Sequence, residues 1–190
     1  MLTEMVKSAE SIAIGGHVRP DGDCVGSCLG VYLYLKKHFP DKQIHVYLES
    51  IPEVFQFLKG SEDILHEIPE DKIYDLFILL DCGDAQRLGF SAPLYENAKA
   101  SFCIDHHVSN QAFATKNYIE PEASSTCELV YHLLGSDQIS EEIAECLYVG
   151  IVHDTGVFRH SCTHPSTMCV AADLMEKGID FTKIITETFD

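Results

Sequence analysis

Basic side chains are scarce in this chain: 13 Lys and Arg stand against 30 Asp and Glu, for a net charge of −17. That balance excludes a broad cationic track for long double-stranded nucleic acid, so an anionic ligand would have to be held by local groups or by bound divalent cations. Long apolar runs are lacking as well, and no stretch approaches the length of a membrane span. Met1 to Lys7 lacks the basic region, apolar core and small-residue cleavage site of a secretory leader. No membrane partner is therefore expected, and the cytoplasm is the expected compartment. None of the eight cysteines forms a C-x-x-C pair. Most lie inside apolar runs (Cys103, Cys146, Cys169) or beside polar motifs (Cys24, Cys82), which reads as free thiols rather than disulfides or a structural zinc site. Repeats, low-complexity tracts and blocks of like charge are absent.

What remains is a 190-residue chain that is 46% apolar, enough to bury one main core without staples. Ser11 to Gly16 reads as a strand, a helix follows from about Val25 to Phe39, and Pro40-Asp41 ends it. Gln43 to Leu48 alternates as a strand, Pro52 to Leu58 reads as a short helix, and Asp75 to Asp81 as a buried strand. A weak helical turn around Leu94 to Lys99 precedes the strand Ala100 to Asp105. Ser125 and Glu128 form a capping box that opens a helix ending at Gly135. Another helix should run from near Ser140 to about Val152, and one from Pro165 to Lys177-Gly178. This rhythm predicts an α/β fold: three layers, αβα, with a mostly parallel, doubly wound sheet.

Four apolar runs end in acid or imidazole. Ser11 to Gly16 leads into His17, Asp21 and Asp23; Leu76 to Leu80 into Asp81; Ala100 to Ile104 into Asp105, His106 and His107; Cys146 to Val152 into Asp154. Each has a plain reading taken singly. Pro20-Asp21-Gly22-Asp23 is a good type I turn, and Asp154-Thr155-Gly156 ends a helix. Together they predict a metal centre at the carboxyl edge of one sheet, where an open α/β fold places its ligand crevice. Carboxylates favour Mn²⁺ or Mg²⁺, and imidazole shifts the preference toward manganese. Six ligands with one bridging carboxylate can hold two ions roughly 3.5 to 4 Å apart, an arrangement suited to in-line displacement at phosphorus. The only arginines, Arg19, Arg87 and Arg159, lie two residues before Asp21, six after Asp81 and five after Asp154. Their planar forks suit phosphate, although Arg159 also suits a surface ion pair. Ser124, Ser125 and Thr126, at a helix start, are candidates to present backbone N–H groups to an anion, with a plain helix cap as the competing reading.

The stretch His17-Val-Arg-Pro-Asp-Gly-Asp-Cys-Val-Gly-Ser27, then Asp81, Asp105-His106-His107, and Gly150-Ile-Val-His-Asp-Thr-Gly156, resembles the four motifs of the DHH phosphoesterases in order and spacing. The resemblance implies that His17, Asp21 and Asp81 bind one manganese ion and that Asp23, Asp81, His106 and Asp154 bind the other, with Asp81 bridging. It implies that His107 contacts the phosphate or leaving group and that Asp105 orients the histidines. The form of the first motif resembles the small nanoRNases that also dephosphorylate 3′-phosphoadenosine 5′-phosphate. Short RNA or a nucleotide is then the expected substrate. A cyclic- or linear-dinucleotide phosphodiesterase and a manganese pyrophosphatase are the alternatives, and a metal- or nucleotide-binding sensor without turnover is the alternative of a different class.

Family members carry a second, C-terminal, substrate-binding domain with a glycine- and histidine-rich motif that this chain lacks. Residues 1–180 are therefore expected to be the catalytic domain and 181–190 the start of an interdomain helix, with the substrate-binding domain absent from a truncated chain. Phe181, Ile184, Ile185 and Phe189 recur with helical spacing in that last stretch, which should pack on something. The competing reading folds it back on its own domain, and the sequence leaves homodimerisation open.

Overall fold

A computed structural model describes residues 1–189. Five parallel strands form its sheet: β1 (Ser11–Gly15), β2 (Gln43–Tyr47), β3 (Leu76–Leu80), β4 (Ala100–Asp105) and β5 (Lys116–Ile119), in the order β2-β1-β3-β4-β5. Seven helices accompany them: α1 (Leu2–Lys7), α2 (Gly22–His38), α3 (Ala92–Asn97), α4 (Thr126–Leu134), α5 (Glu141–Asp154), α6 (Pro165–Glu176) and α7 (Phe181–Phe189). The architecture is the expected three-layer α/β fold. None of the described helices is long and apolar enough to cross a membrane.

Strand alternation divides the core. Ile12, Ile14, Ile44, Val46, Leu76, Ile78, Leu80, Phe102 and Ile104 face the larger layer with α2, α4 and α5, while Ala13, Tyr47, Phe77, Leu79 and Cys103 face the smaller one with Leu88 and Leu94. Because the central strands are covered on both faces, β3 is the continuous apolar run Leu-Phe-Ile-Leu-Leu. Each such side chain, fully buried, contributes about 1.5–3 kcal/mol.

Helices α2 and α5 pack closely because glycine lines their contact. A Cβ on Gly26 would collide with the Cys146 carbonyl, and one on Gly150 would collide with the Cys127 sulfur and lie 2.8 Å from Asp23 Oδ1. The chain leaves β1 toward β2 on one side and places β3 on the other, so the β1/β3 boundary is the switch point where a crevice opens beyond the strand ends.

Helix α5 is the one expected from near Ser140, and Asp154 is its last residue, so this acid reaches the crevice from a helix C-terminus while His17, Asp81 and His106 come from strand exits. Other expectations change. The segment Pro52 to Leu58 contains only a 3₁₀ turn, Glu53–Phe55. Glu128 accepts from Ser124 N rather than closing the box on Ser125, because the same carboxylate also receives the Thr167 hydroxyl from α6. Helix α7 packs on its own domain: Ile184 is buried against α5, and the Phe189 ring lies 4.3 Å from that of His153.

Candidate metal centre

Three strand exits and two helix ends converge above the β1/β3 boundary. His17 follows β1, and its Nδ1 donates to the Val18 carbonyl at 2.8 Å, which leaves Nε2 free to face the crevice. That Nε2 lies 3.3 Å from Asp81 Oδ2 and 3.5 Å from Asp21 Oδ1. Asp21 is also the N-cap of α2, accepting from Cys24 N at 3.0 Å, so one aspartate both starts the helix and faces the histidine.

Asp81 leaves β3 in the left-handed region, at φ 55, an uncommon conformation for aspartate that re-aims its side chain at the strand's end. Its two oxygens face opposite groups. Oδ2 faces His17, while Oδ1 lies 3.6 Å from His106 Nε2 and 3.2 Å from the Thr126 hydroxyl.

On the Oδ1 side, His106 Nε2 is 3.1 Å from Asp154 Oδ2 and 3.6 Å from Asp23 Oδ2. Asp23 is completely buried in the first turn of α2. It is held by the first free amides of α4, accepting from Thr126 N at 2.7 Å and Cys127 N at 2.8 Å. A helix N-terminus favours such a carboxylate, whereas Asp154, at the C-terminus of α5, meets the dipole's negative end. A cation beside Asp154 would offset that.

The site is short of positive charge. Burial opposes charge on His17, but the Asp21 and Asp81 carboxylates outweigh it and push its pKa up to about 11. His106 is raised in the same way, with burial overcome by Asp154 and Asp81. Burial and the charges of Asp81 and Asp154 raise Asp23 well above the ordinary carboxylate range, and burial raises Asp154 too. Four carboxylates thus lean on two imidazoles for compensation. Donor atoms of His17, Asp21 and Asp81 lie within 4.8 Å of one another, as do those of Asp23, His106 and Asp154 and those of Asp81, His106 and His107. These acidic and imidazole groups can hold a metal ion, and their oxygen and nitrogen donors fit Mn²⁺ or Mg²⁺.

His107 stands apart from that exchange. Its Nδ1 donates to Asp105 Oδ1 at 2.6 Å, and Asp105, completely buried, also accepts from Asn110 Nδ2 at 2.8 Å. The Asp105 contact raises the His107 pKa despite burial, and Nε2 is left as its available nitrogen.

The chain belongs to the DHH family. Its residues 11–151 match the family model described as "DHH family, N-terminal domain". It is 28% identical over 181 residues to the probable bifunctional oligoribonuclease and PAP phosphatase NrnA of Streptococcus mutans, covering 94% of this chain and 56% of the relative. The corresponding Bacillus subtilis protein is 25% identical, with coverage of 100% and 61%. The chain thus spans little more than half the length of these curated relatives. A solved structure of an exopolyphosphatase-related protein from Bacteroides fragilis superposes with a TM-score of 0.89 at 31% identity, covering 99% of this chain and 58% of that one.

The arginines sit around this DHH site in different settings. Arg19 and Arg87 belong to its two rim loops, Arg19 N donating to Glu49 Oε2 at 2.7 Å and the Arg87 carbonyl accepting from Val18 N at 2.7 Å. Arg159 Nε is taken by the Gly156 carbonyl at 2.7 Å. Ser124 and Ser125 are only 1% and 0% exposed, so their hydroxyls face no solvent-borne ligand. Ser125 caps α4, and the anion that the α4 amides hold is Asp23. Sequence reading offered Thr126 as an amide donor to an anion and missed Cys127 and Asn110; each of the three fixes a carboxylate of the site. The capping box at Ser125 was the available signal for the first two, since it makes Thr126 the first helical residue with a free N–H.

Proposed function

We propose that this chain carries the catalytic domain of a divalent-metal-dependent phosphoesterase that hydrolyses short oligoribonucleotides, 3′-phosphoadenosine 5′-phosphate, or both. The observation that carries this reading is the division of Asp81, with one oxygen toward His17 and Asp21 and the other toward His106, Asp23 and Asp154. A carboxylate so placed suits a bridge between two ions. His17, Asp21 and Asp81 would hold one ion, and Asp23, Asp81, His106 and Asp154 the other, with manganese favoured over magnesium by the imidazoles. Divalent ions held by these donors would supply positive charge to the phosphoryl group and would make a water nucleophilic near neutral pH.

The chain's own groups do the rest. Asp105 fixes the direction of the His107 ring and raises its pKa, which favours the form able to donate from Nε2 to a leaving oxygen. The buried floor of Asp23, Asp81 and Asp105 stays fixed through its amide and hydroxyl donors, which orients the reacting groups without reorganisation. Arg19, Arg87 and Arg159 are the proposed phosphate contacts. Residues 1–180 are proposed as the catalytic domain, and 181–190 as the approach to a substrate-binding domain in cis. The names of the NrnA relatives and the incomplete coverage of their length support both readings.

The test is a panel of short oligoribonucleotides, the bisphosphate nucleotide, linear dinucleotides and pyrophosphate, assayed with manganese, with magnesium and after chelation. Metal-dependent hydrolysis of RNA or of the bisphosphate nucleotide is expected. Preference for pyrophosphate would favour the other phosphohydrolase class, and manganese binding without turnover of any substrate would leave a sensor module.

A further inference from the structure

Beside His107, the loops after β3 and β4 flank a cleft of about 500 Å³ lined by Gly83, Asp84, Gln86, Tyr95, Gln111 and Phe113, among others. We propose that this cleft receives the nucleobase of the substrate, and that it favours a base with an exocyclic amino group, adenine foremost. The proposal deepens the phosphoesterase reading and rests on it.

Position argues first. Gly83 lies two residues beyond Asp81, and Ser109 two beyond His107. The two walls meet at the site's rim, where a Cβ on Gly83 would stand 3.6 Å from the His107 Cβ and 3.5 Å from Ser109 Oγ. The cleft therefore shares its Gly83 and Ser109 wall with His107, which makes it the neighbour of a phosphate at that histidine. Its volume lies in the usual range for small-molecule sites and accommodates a nucleoside.

Chemistry argues second. Phe113 and Tyr95 stand edge to face, with ring centroids 5.9 Å apart, and the Tyr95 hydroxyl donates to the Phe113 carbonyl, so the aromatic wall is rigid. Aromatic walls bind bases of every type by their π faces. The polar groups are neutral carboxamides, Gln86 and Gln111, together with Asp84, which uses Oδ1 to cap the following turn. A carboxamide can both accept from and donate to the edge of adenine, and a free carboxylate oxygen accepts from an amino group, whereas uracil offers no amino group. A second phosphate would meet no cation here, since neither Lys nor Arg lines the cleft.

Binding of AMP, UMP and ribose 5-phosphate to the manganese-loaded chain, followed by calorimetry and by the ring resonances of Tyr95 and Phe113, tests this. AMP should bind about tenfold or more tighter than ribose 5-phosphate, a difference of the size that base stacking supplies, with UMP between them. Phe113→Leu should bring AMP toward ribose 5-phosphate, and Gln86→Ala with Gln111→Ala should shrink the preference for AMP over UMP. Neither should alter ribose 5-phosphate binding. The glutamine variants change exposed side chains, so they decide the matter even where Phe113→Leu misfolds. Equal affinity for AMP and ribose 5-phosphate would overturn the subsite and leave the phosphoesterase reading standing. Failure of all three to bind, with manganese in place, would count against both.

Discussion

The Thr126 hydroxyl donates at 3.2 Å to Asp81 Oδ1, while the Thr126 amide donates at 2.7 Å to Asp23 Oδ2. One residue thus clamps two carboxylates that come from different elements, the exit of β3 and the first turn of α2. Thr126→Val keeps the shape and the amide and removes only the hydroxyl. Divalent affinity on the His106 side should fall by about ten- to a hundredfold, the usual effect of losing a hydrogen bond behind a ligand. Thr126→Ser should restore it. Metal titration of both variants checks this, and wild-type affinity in Thr126→Val would remove the clamp from the account.

Asp81→Asn should weaken both ions at once, because each carboxylate oxygen faces a different donor group. Asp21→Asn should weaken mainly the ion near His17, since Asp21 faces only that histidine. Metal content after dialysis separates the two variants. Full stoichiometry in Asp81→Asn would end the bridging role.

His107→Ala is expected to retain metal and lose rate by about two to four orders of magnitude, the range for a positioned general acid or transition-state contact. Asp105→Asn should slow the reaction in the same direction by releasing the 2.6 Å hydrogen bond that fixes the ring. Single-turnover rates at saturating manganese decide it, and an unchanged rate in His107→Ala would move the proton donor elsewhere.

The parts legible in the sequence were those where burial and chemistry coincide along the chain. Strands β1, β3 and β4 are largely apolar and buried and lead into His17, Asp81 and His106, so the strand ends could be read as one crevice. Strand β5 was not legible, since Lys116 is exposed and Asn117 to Ile119 are half-buried on the sheet's edge. Asp154 was legible both as a residue and as the end of the helix that starts after Ser140. Thr126 and Asn110 act through tertiary contacts to Asp81 and Asp105 that no spacing along the chain encodes.

At the opposite end of the sheet, Asp75 offers a pH-dependent test free of the metal site. Its carboxylate takes Lys99 Nζ at 2.8 Å, Glu10 N at 2.9 Å and Ser11 N at 3.2 Å, and Lys99 foremost lowers its pKa from 3.8 to about 2. A depressed folded-state pKa adds stability above the unfolded value, and that stability is lost as pH falls through the folded one. Asp75→Asn should therefore be less stable than wild type at pH 6 to 7, and the gap should narrow as pH falls from about 4 toward about 2. Urea midpoints across that range check it. A gap independent of pH would assign the effect to amide geometry instead of charge.

Gly150→Ala joins packing to the site. In α5, Gly150 faces α2 and α4 so closely that a Cβ would collide with the Cys127 sulfur and lie 2.8 Å from Asp23 Oδ1. Cys127 cannot retreat, because its own amide holds Asp23 at 2.8 Å from the N-terminus of α4. The added methyl must separate α5 from α4 or push Asp23 off its two amides, and either path strains a core without space. Overpacking of this kind costs about 1–3 kcal/mol, partly offset by up to about 1 kcal/mol of better helix propensity for alanine. The net effect on folding should thus be modest, while the metal effect should be selective: the ion near Asp23 and His106 weakens and the one near His17 persists. Paired thermal melts and manganese titrations measure the two effects separately. A variant as stable as wild type, with both ions bound at wild-type affinity, would show that the helices can part without moving Asp23.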